Sequence, residues 1–121
     1  MPKTRGELEA EFTKAMISLE KEYLGRGPLD ARTFFVDDMV LVRLRGVLTQ
    51  AEQKLAESEH GSDLIKETRR QLFETSRPLL EALVKDVLDC GVLSFHSDIS
   101  TNTGERVVVI TVDTNLGKKF T

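Results

Sequence analysis

Residue types that commonly signal a catalytic or metal site are scarce in this chain. Its 121 residues include one cysteine, two histidines and no tryptophan. The single thiol, Cys90, excludes an internal disulfide, and we expect it to be a small buried apolar residue. His60 and His96 lie far apart in the sequence, and with Cys90 they fall short of the four ligands of a closed zinc site. The sequence therefore predicts neither a structural metal nor a cofactor.

Long apolar runs and an excess of basic residues are also missing. No stretch approaches the roughly 20 apolar residues that a transmembrane helix requires, and the charged segment from Met1 to Leu8 lacks the apolar run of a signal peptide. The formal net charge is -3 at pH 7, whereas a general nucleic-acid binder usually carries a basic surplus. These absences predict a cytoplasmic protein that neither spans a membrane nor binds nucleic acid.

Motifs of known enzyme classes are absent as well. The chain has no phosphate-binding loop, no His-Glu-x-x-His helix and no nucleophile elbow. Gly25-Arg26-Gly27 follows a predicted helix rather than a strand, so this segment is interpreted as a helix stop and not as a dinucleotide fingerprint. The sequence thus favours a protein that is not an enzyme.

The chain does contain a regular alternation of helical and strand patterns. A threonine followed three positions later by a glutamate forms a capping box at the start of a helix from Thr4 to Leu24. Two β-rich segments follow, from Arg32 to Val36 and from Met39 to Val47, and the pair Asp37-Asp38 predicts a two-residue hairpin loop between them. The apolar residues of the first helix recur at helical spacing: Leu8, Phe12, Ala15, Met16, Leu19 and Tyr23.

The second half repeats this order. Another capping box, at Thr49, begins a short helix that Gly61 is expected to break. A long helix from Ser62 to Leu88 follows, capped by its first residue, and Pro78 predicts a kink or break near Glu74 because proline removes a backbone hydrogen bond. The predicted apolar stripe of this helix consists of Ile65, Thr68, Leu72, Ser76, Leu79, Leu83 and Val87.

A second hairpin completes the pattern. Its strands run from Val92 to Ser100 and from Glu105 to Val112, with a four-residue loop between them, and Gly117 to Thr121 are expected to form a frayed tail. Hairpins favour antiparallel pairing, and segregated helices favour two layers. The predicted fold is α+β, a two-layer sandwich with a four-stranded antiparallel sheet and helices on one face, in the order α-β-β-α-α-β-β.

Strand alternation assigns residues to the two faces of the sheet. The face beneath the helices is predicted to carry Thr33, Phe35, Val40, Val42, Leu44, Leu93, Phe95, Ile99, Val108, Ile110 and Val112. The opposite face is too apolar for a sheet face in water, so we expect a two-fold homodimer to bury it. The candidate interface residues are Phe34, Val36, Met39, Leu41, Val107 and Val109.

Polar residues on the same open face are candidates for ligand or partner binding: Arg32, Arg43, Arg45, His96 and Asp98. Guanidinium groups gathered there can bind phosphate, carboxylate or bicarbonate through paired N–H donors. A carboxylate beside an imidazole on one strand is also the beginning of an acid–base or metal site. The same residues can instead form ion pairs and hydrogen bonds across an interface. The sequence leaves these alternatives open.

Several stretches of the chain together resemble a known protein family. These stretches are Glu20 to Pro28, Asp37 to Thr49 with Glu52, Arg77 to Leu80, His96 to Thr101 and Thr103 to Arg106. In order, and over nearly the whole chain, they resemble the MpsC-like family of small bacterial proteins. The resemblance implies a single domain over residues 1–121 without an established catalytic activity. The family takes its name from a component of a sodium-translocating, membrane-potential-generating system, whose membrane partners resemble inorganic-carbon uptake machinery.

On this resemblance, the leading hypothesis is a non-enzymatic accessory or interaction domain of a membrane ion or inorganic-carbon translocation system. Its expected partners are a second copy of the chain and membrane transport proteins. The alternative is a domain that senses an anion or another small molecule through Arg43, Arg45 and His96. A third hypothesis is an unrecognised hydrolase or lyase. A dry pocket joining His96, Asp98 and an arginine would favour the last two, whereas a flat apolar sheet face would favour the first.

Overall fold

Four strands form one antiparallel sheet because two hairpins lie side by side. The computed structural model describes residues 3–120. The second strand of each hairpin pairs with the other, so the strand order is β1-β2-β4-β3 and β1 and β3 are the edges. The predicted α+β fold with a four-stranded antiparallel sheet is confirmed. The strands are β1 (Asp30–Val36), β2 (Met39–Arg45), β3 (Val92–Ser100) and β4 (Glu105–Val112).

Both hairpin loops have the predicted length. The pairing of β1 with β2 leaves Asp37 and Asp38 alone in the first loop. Asp37 has a φ of 55°, a left-handed conformation that aspartate tolerates better than most residues. In the second hairpin Ser100 pairs with Glu105, which leaves a loop of four residues. Because the loop lengths are right, the predicted alternation of faces holds over most of the sheet.

Strand β3 departs from strict alternation near its start. Val92 pairs with Val112 and Ser94 pairs with Thr111, so Leu93 is the extra residue of a β-bulge. The prediction that Leu93 lies under the helices is wrong, since its side chain is 68% exposed. Val92 packs against the core in its place. A bulge depends on how two strands pair, so the periodicity of one strand does not reveal it.

The first two helices begin at the capping residues that the sequence predicts. Thr4 and Thr49 accept hydrogen bonds from the backbone amides three positions later, and Glu52 completes a capping box by accepting from the amide of Thr49. Among residues 3–120, no helix combines the length and the apolar character needed to cross a bilayer. The helical elements are α1 (Arg5–Leu19), a π turn (Glu20–Leu24), α2 (Gln50–Leu55), α3 (Glu59–Thr75), α4 (Arg77–Leu88) and α5 (Leu116–Lys119).

Gly61 has a different role from the predicted one. It lies in the first turn of α3, and Ser58 rather than Ser62 caps this helix by accepting a hydrogen bond from the Gly61 amide. A Cβ atom at Gly61 would lie 1.9 Å from the carbonyl oxygen of Leu55. The glycine therefore allows α2 and α3 to approach closely, and it does not break a helix.

The break predicted near Pro78 is confirmed. α3 ends at Thr75 and α4 begins at Arg77, so Ser76 alone separates the two helices. The hydroxyl of Ser76 donates to the carbonyl oxygen of Phe73 at 2.8 Å. Pro78 occupies the first turn of α4, where its missing N–H would have no helical acceptor in any case.

The buried stripe of α3 and α4 is rotated relative to the predicted one. Leu72 and Leu79 were expected in the core but are 38% and 40% exposed. The position between Ile65 and Phe73 on the buried stripe is occupied by an arginine, which hydrophobic periodicity does not score as a core residue. The buried residues of the two helices and their junction are Gly61, Ile65, Arg69, Phe73, Ser76, Leu80, Val84 and Leu88.

The C-terminal segment packs onto the domain, contrary to the expectation of a frayed tail. Leu116 is fully buried and its amide donates to the carbonyl oxygen of Asp37 at 2.7 Å. The ring of Phe120 packs 6.0 Å from that of Phe35, measured between centroids. Thr121, the last residue of the predicted tail, lies outside the described residues. Cys90 is buried, as expected.

Candidate functional site

A cluster of four charged side chains lies beneath the helices. Glu20 comes from the π turn, Glu52 from α2, Arg69 from α3 and Arg106 from β4. Glu20, Arg69 and Arg106 are 0%, 4% and 1% exposed, and Glu52 is partly buried. Burying a charge costs free energy unless the group is paired and hydrogen-bonded. The partners of these groups therefore decide what the cluster does.

Each nitrogen of the Arg69 guanidinium donates at least one hydrogen bond. Its Nε and Nη2 donate to the two carboxylate oxygens of Glu52 at 3.1 and 2.7 Å. Its Nη1 donates to the carbonyl oxygen of Leu24 at 2.9 Å, and its Nη2 donates to that of Val47 at 3.0 Å. Arg69 thus ties α3 to the end of the π turn, to the segment after β2 and to α2. Its role is to hold these elements together.

Glu52 is stabilised in its charged form by the same contacts. Burial acts to raise the pKa of Glu52, but hydrogen bonds from Arg69 and from the backbone of Thr49 outweigh it and hold the pKa below its ordinary value. Glu52 therefore remains a carboxylate at neutral pH and pairs with Arg69.

Arg106 and Glu20 form a second buried pair that lacks this hydrogen bonding. Nε of Arg106 lies 3.3 Å from Oε1 of Glu20, an ion-pair distance without the alignment of a hydrogen bond. Within residues 3–120, Nε and Nη2 of Arg106 and both carboxylate oxygens of Glu20 are buried with no hydrogen-bond partner. An unsatisfied buried polar group costs roughly 1–3 kcal/mol. The second pair is therefore incomplete.

Burial shifts the protonation equilibria of this second pair. It raises the pKa of Glu20, and the positive charges of Arg106 and Arg69 offset the shift only in part. It also lowers the pKa of Arg106, with Glu20 acting in the opposite direction. Glu20 thus holds its proton more tightly than an exposed glutamate does, whereas Glu52 releases its proton more readily.

Glu20 lies four residues after Met16, so it continues the buried stripe of α1. The wider helical repeat of the π turn then changes the residue that faces the core, so Leu24 is buried. Tyr23, which the sequence places in the apolar stripe, is instead 53% exposed. Gly25 ends the turn with a φ of 137°, a conformation that favours glycine. π-helical turns are often found at functional sites.

A cleft of about 350 Å³ opens between α3 and β3, above the charged cluster. Arg69 and Arg106 contribute to its lining, and Phe73 and Phe95 form an apolar part, with their ring centroids 6.3 Å apart. The guanidinium carbon of Arg106 lies 5.9 Å from the centroid of the Phe73 ring. The other lining residues are Asp63, Lys66, Glu67, Arg70, Glu74, Ser97, Asp98 and Ile99.

The polar residues predicted on the open sheet face lie there in two groups. The three arginines are neighbours on β1 and β2, where Arg32 is opposite Arg43, and His96 and Asp98 lie on β3. Arg43 is paired with Glu105, its Nε and Nη2 each 2.8 Å from one carboxylate oxygen. Asp98 approaches Lys66 of α3 at 3.6 Å. His96 lies on β3 and the arginines lie on β1 and β2, with β4 between them. Since neighbouring strands are about 4.8 Å apart, His96 is about 10 Å from the β2 backbone.

The six apolar residues of the open face are also where alternation predicts. Phe34 and Val36 are 40% and 42% exposed, and the remaining four are partly buried. Arg32 lies over the ring of Phe34, with its guanidinium carbon 5.8 Å from the centroid. This face thus presents an apolar surface bordered by arginines on the β1–β2 side and by His96 and Asp98 on the β3 side.

Sequence reasoning missed Glu20, Arg69 and Arg106 as buried residues. Arg106 alternates with Val108 and Ile110 on the core-facing side of β4, which was the available signal. Arg69 similarly occupies a core position of α3. Neither arginine was predicted to be a core residue, and buried charges are rare. Glu20, Glu52 and Arg106 all fall within the stretches that resemble the family.

The architecture is that of a small α+β domain with a buried ionic cluster beneath a cleft and an open apolar sheet face. Residues 4–114 match the family described as "Na+-translocating membrane potential-generating system (MpsC)". The chain belongs to this family, which confirms the resemblance inferred from the sequence.

Two proteins of Bacillus subtilis (strain 168) are similar to the chain. Uncharacterized protein YbcI is 39% identical over 120 residues, which cover 99% of this chain and 97% of that protein. Uncharacterized protein YrhF is 26% identical over 111 residues, which cover 90% of each. No solved structure matches the chain. Within the described residues, no three His, Cys, Asp or Glu side chains are grouped so that they could hold a metal ion.

Proposed function

We propose that this chain is a non-enzymatic cytoplasmic accessory domain that binds other proteins of a membrane ion-translocating system. The description of its family, a sodium-translocating system that generates membrane potential, supports the link to a membrane system. The observation that carries the proposal is the open sheet face, since a contiguous exposed apolar surface is characteristic of an interaction site.

The first partner of this face is a second copy of the chain. Charge distinguishes its two halves. Three arginines lie on β1 and β2, where Glu105 pairs with Arg43 and Asp30 is opposite Arg45, and Asp98 lies on β3 at the opposite edge. Two copies packed face to face about an axis parallel to the strands place the arginines of one copy over Asp98 of the other. An axis across the strands would stack the arginine-bearing halves on each other, which like-charge repulsion opposes.

The apolar area is consistent with a dimer of moderate affinity. Full burial of an apolar side chain contributes roughly 1.5–3 kcal/mol, and the four partly buried residues of the face contribute less than that. Association costs on the order of 4–15 kcal/mol in lost translational and rotational freedom. Burial of apolar side chains therefore favours dimer formation, and the charges determine how the two copies are oriented.

Light scattering on matched variants tests the dimer. The wild-type protein should show twice the mass of one chain at micromolar concentration, and Leu41→Asp should be monomeric because it places a charge within the face. Leu79→Asp, which alters an exposed leucine of α4, should remain dimeric. A wild-type monomer, or a Leu41→Asp dimer, would show that the sheet face is not the interface.

Affinity purification from native cells with membranes retained tests the accessory role. The wild-type protein and Leu79→Asp should both enrich an integral membrane subunit of an ion-translocating system over an untagged control. Leu41→Asp should lose this enrichment if the dimer is the binding form. If the wild-type protein enriches no such subunit, the accessory role is wrong, whatever the oligomeric state.

A further inference from the structure

The two buried arginines of the cluster differ in how fully they are hydrogen-bonded. Arg69 donates to a carboxylate and to two backbone carbonyls, as expected of an arginine that serves the fold. Arg106 is more deeply buried, yet its Nε and Nη2 have no hydrogen-bond partner among the described residues. Buried polar groups in folded proteins nearly always have a partner. The missing acceptor of Arg106 therefore calls for an explanation.

The position of Arg106 suggests what the acceptor is. Its side chain contributes to the lining of the cleft between α3 and β3, so the buried guanidinium belongs to a residue that borders an opening. The volume of about 350 Å³ is at the lower end of the range for small-molecule sites. A ligand in this cleft can reach Arg106 directly.

The chemistry of the lining narrows the class of ligand. A guanidinium presents parallel N–H donors that match the two oxygens of a carboxylate. Phe73 and Phe95 provide an apolar contact beside these donors. At the rim, Lys66 is 3.6 Å from Asp98, and both side chains are largely exposed. Such an exposed ion pair contributes little, so Lys66 is free to turn toward an incoming negative charge.

We infer that the cleft binds a small organic carboxylate, with the carboxylate accepting hydrogen bonds from Arg106 and an apolar group packing against Phe73 and Phe95. Glu20 can offset the negative charge that the ligand carboxylate brings. The charged groups that face it are Arg106 from β4 and Arg69 from α3. Because its pKa is raised by burial, Glu20 can take up a proton when a second carboxylate arrives beside Arg106. The groups proposed to hold the ligand, Arg106, Phe73 and Phe95, do not lie on the open sheet face, although Asp98 borders both surfaces.

Nuclear magnetic resonance titration and calorimetry with benzoate test the inference. Benzoate should shift the amide resonances of α3, β3 and β4 saturably at up to millimolar concentration, whereas benzamide, its neutral counterpart, should not. Inorganic phosphate, which lacks an apolar group, should bind at least tenfold more weakly. Calorimetry in buffers of different ionisation enthalpy should show proton uptake on binding. Glu20→Gln should bind benzoate several-fold more tightly, without that uptake.

Variants locate the site. Arg106→Met should weaken benzoate binding at least tenfold, and Ser97→Leu, which fills the cleft from β3, should do the same if Arg106→Met fails to fold. Arg43→Ala distinguishes the cleft from an anion site on the sheet face: binding lost in Arg43→Ala and kept in Ser97→Leu would overturn the inference. So would equal responses to benzoate and benzamide, or no saturable response to benzoate. Leu41→Asp should bind benzoate normally, so this test is separate from that of the proposed function.

Discussion

Arg69 and Arg106 share a residue type, a buried location and a glutamate partner, yet they differ in the completeness of their hydrogen bonds. Arg69 joins three neighbouring segments to α3 through aligned hydrogen bonds. Arg106 approaches Glu20 without an aligned bond and faces a cleft. Burial alone would assign both arginines the same role. The count of satisfied donors separates a group that stabilises the fold from one that is available to a ligand.

Loss of Arg69 should produce the largest effect. Arg69→Met removes the two hydrogen bonds that Glu52 accepts from Arg69. It also leaves the carbonyl oxygens of Leu24 and Val47 without the donor that Arg69 provides. Breaking a buried pair from one side costs about 3–5 kcal/mol, a large share of the stability of a small domain. The free energy of unfolding, measured by urea denaturation, should fall by that amount.

Arg70→Met is the matched control for this prediction. Arg70 is the next residue in α3, but it is exposed and pairs with Glu67, its Nη2 2.7 Å from the carboxylate. Exposed pairs contribute little to stability, so this variant should have nearly wild-type stability. Equal losses in the two variants would contradict the assignment of Arg69 as the residue that holds the elements together.

Replacing both partners of an ion pair should change the free energy of unfolding less than loss of Arg69 alone, and the change should differ between the two pairs. Replacing a buried pair with apolar residues is often neutral or stabilising. Glu20→Leu with Arg106→Met should therefore come within about 1 kcal/mol of wild type, because this pair has no aligned hydrogen bonds to lose. Glu52→Leu with Arg69→Met should stay destabilised, since two backbone carbonyls remain unpaired. Urea denaturation of the four single and two double variants measures the interaction free energy within each of the two pairs.

The pH dependence of stability should show the smallest effect, with opposite signs for the two glutamates. The folded-state pKa of Glu20 is raised above its ordinary value of 4.5, so the folded protein binds this proton more tightly than the unfolded chain does. The contribution of Glu20 is then fully present below pH 4.5 and is lost as the pH rises through the raised pKa. The pKa of Glu52 is lowered, so its contribution is present above 4.5 and is lost as the pH falls.

Isosteric variants measure these two contributions separately. Across mildly acidic pH, Glu20→Gln should remove a decline in the free energy of unfolding that the wild-type protein shows as the pH rises. At lower pH, Glu52→Gln should weaken the decline that the wild-type protein shows as the pH falls. Identical pH profiles for the wild-type protein and Glu20→Gln would mean that Glu20 titrates as an exposed residue does.

There is a physical reason why the sequence predicted the outline of the fold but not the buried charges at the centre of the site. Thr4, Thr49 and the Asp37-Asp38 loop act through contacts within a few residues, and they are where the sequence predicts them to be. Arg106 and Glu20 are far apart in the chain, and each becomes tolerable in the core only when the other is beside it. The buried stripe of α3 was predicted one position away from the observed stripe for the same reason. Its core position between Ile65 and Phe73 holds a charged residue, Arg69.

The sequence by itself determined the local structure of this protein: where its first helices begin, how its hairpins turn, and which residues alternate on the open face of the sheet. Tertiary structure alone decided that Leu93 leaves the core in a bulge, that Gly61 allows α2 and α3 to meet, and that four charged groups converge beneath a cleft. Capping and alternation are governed by covalent geometry and near neighbours. The burial of a charge depends on partners that only the assembled elements bring into contact.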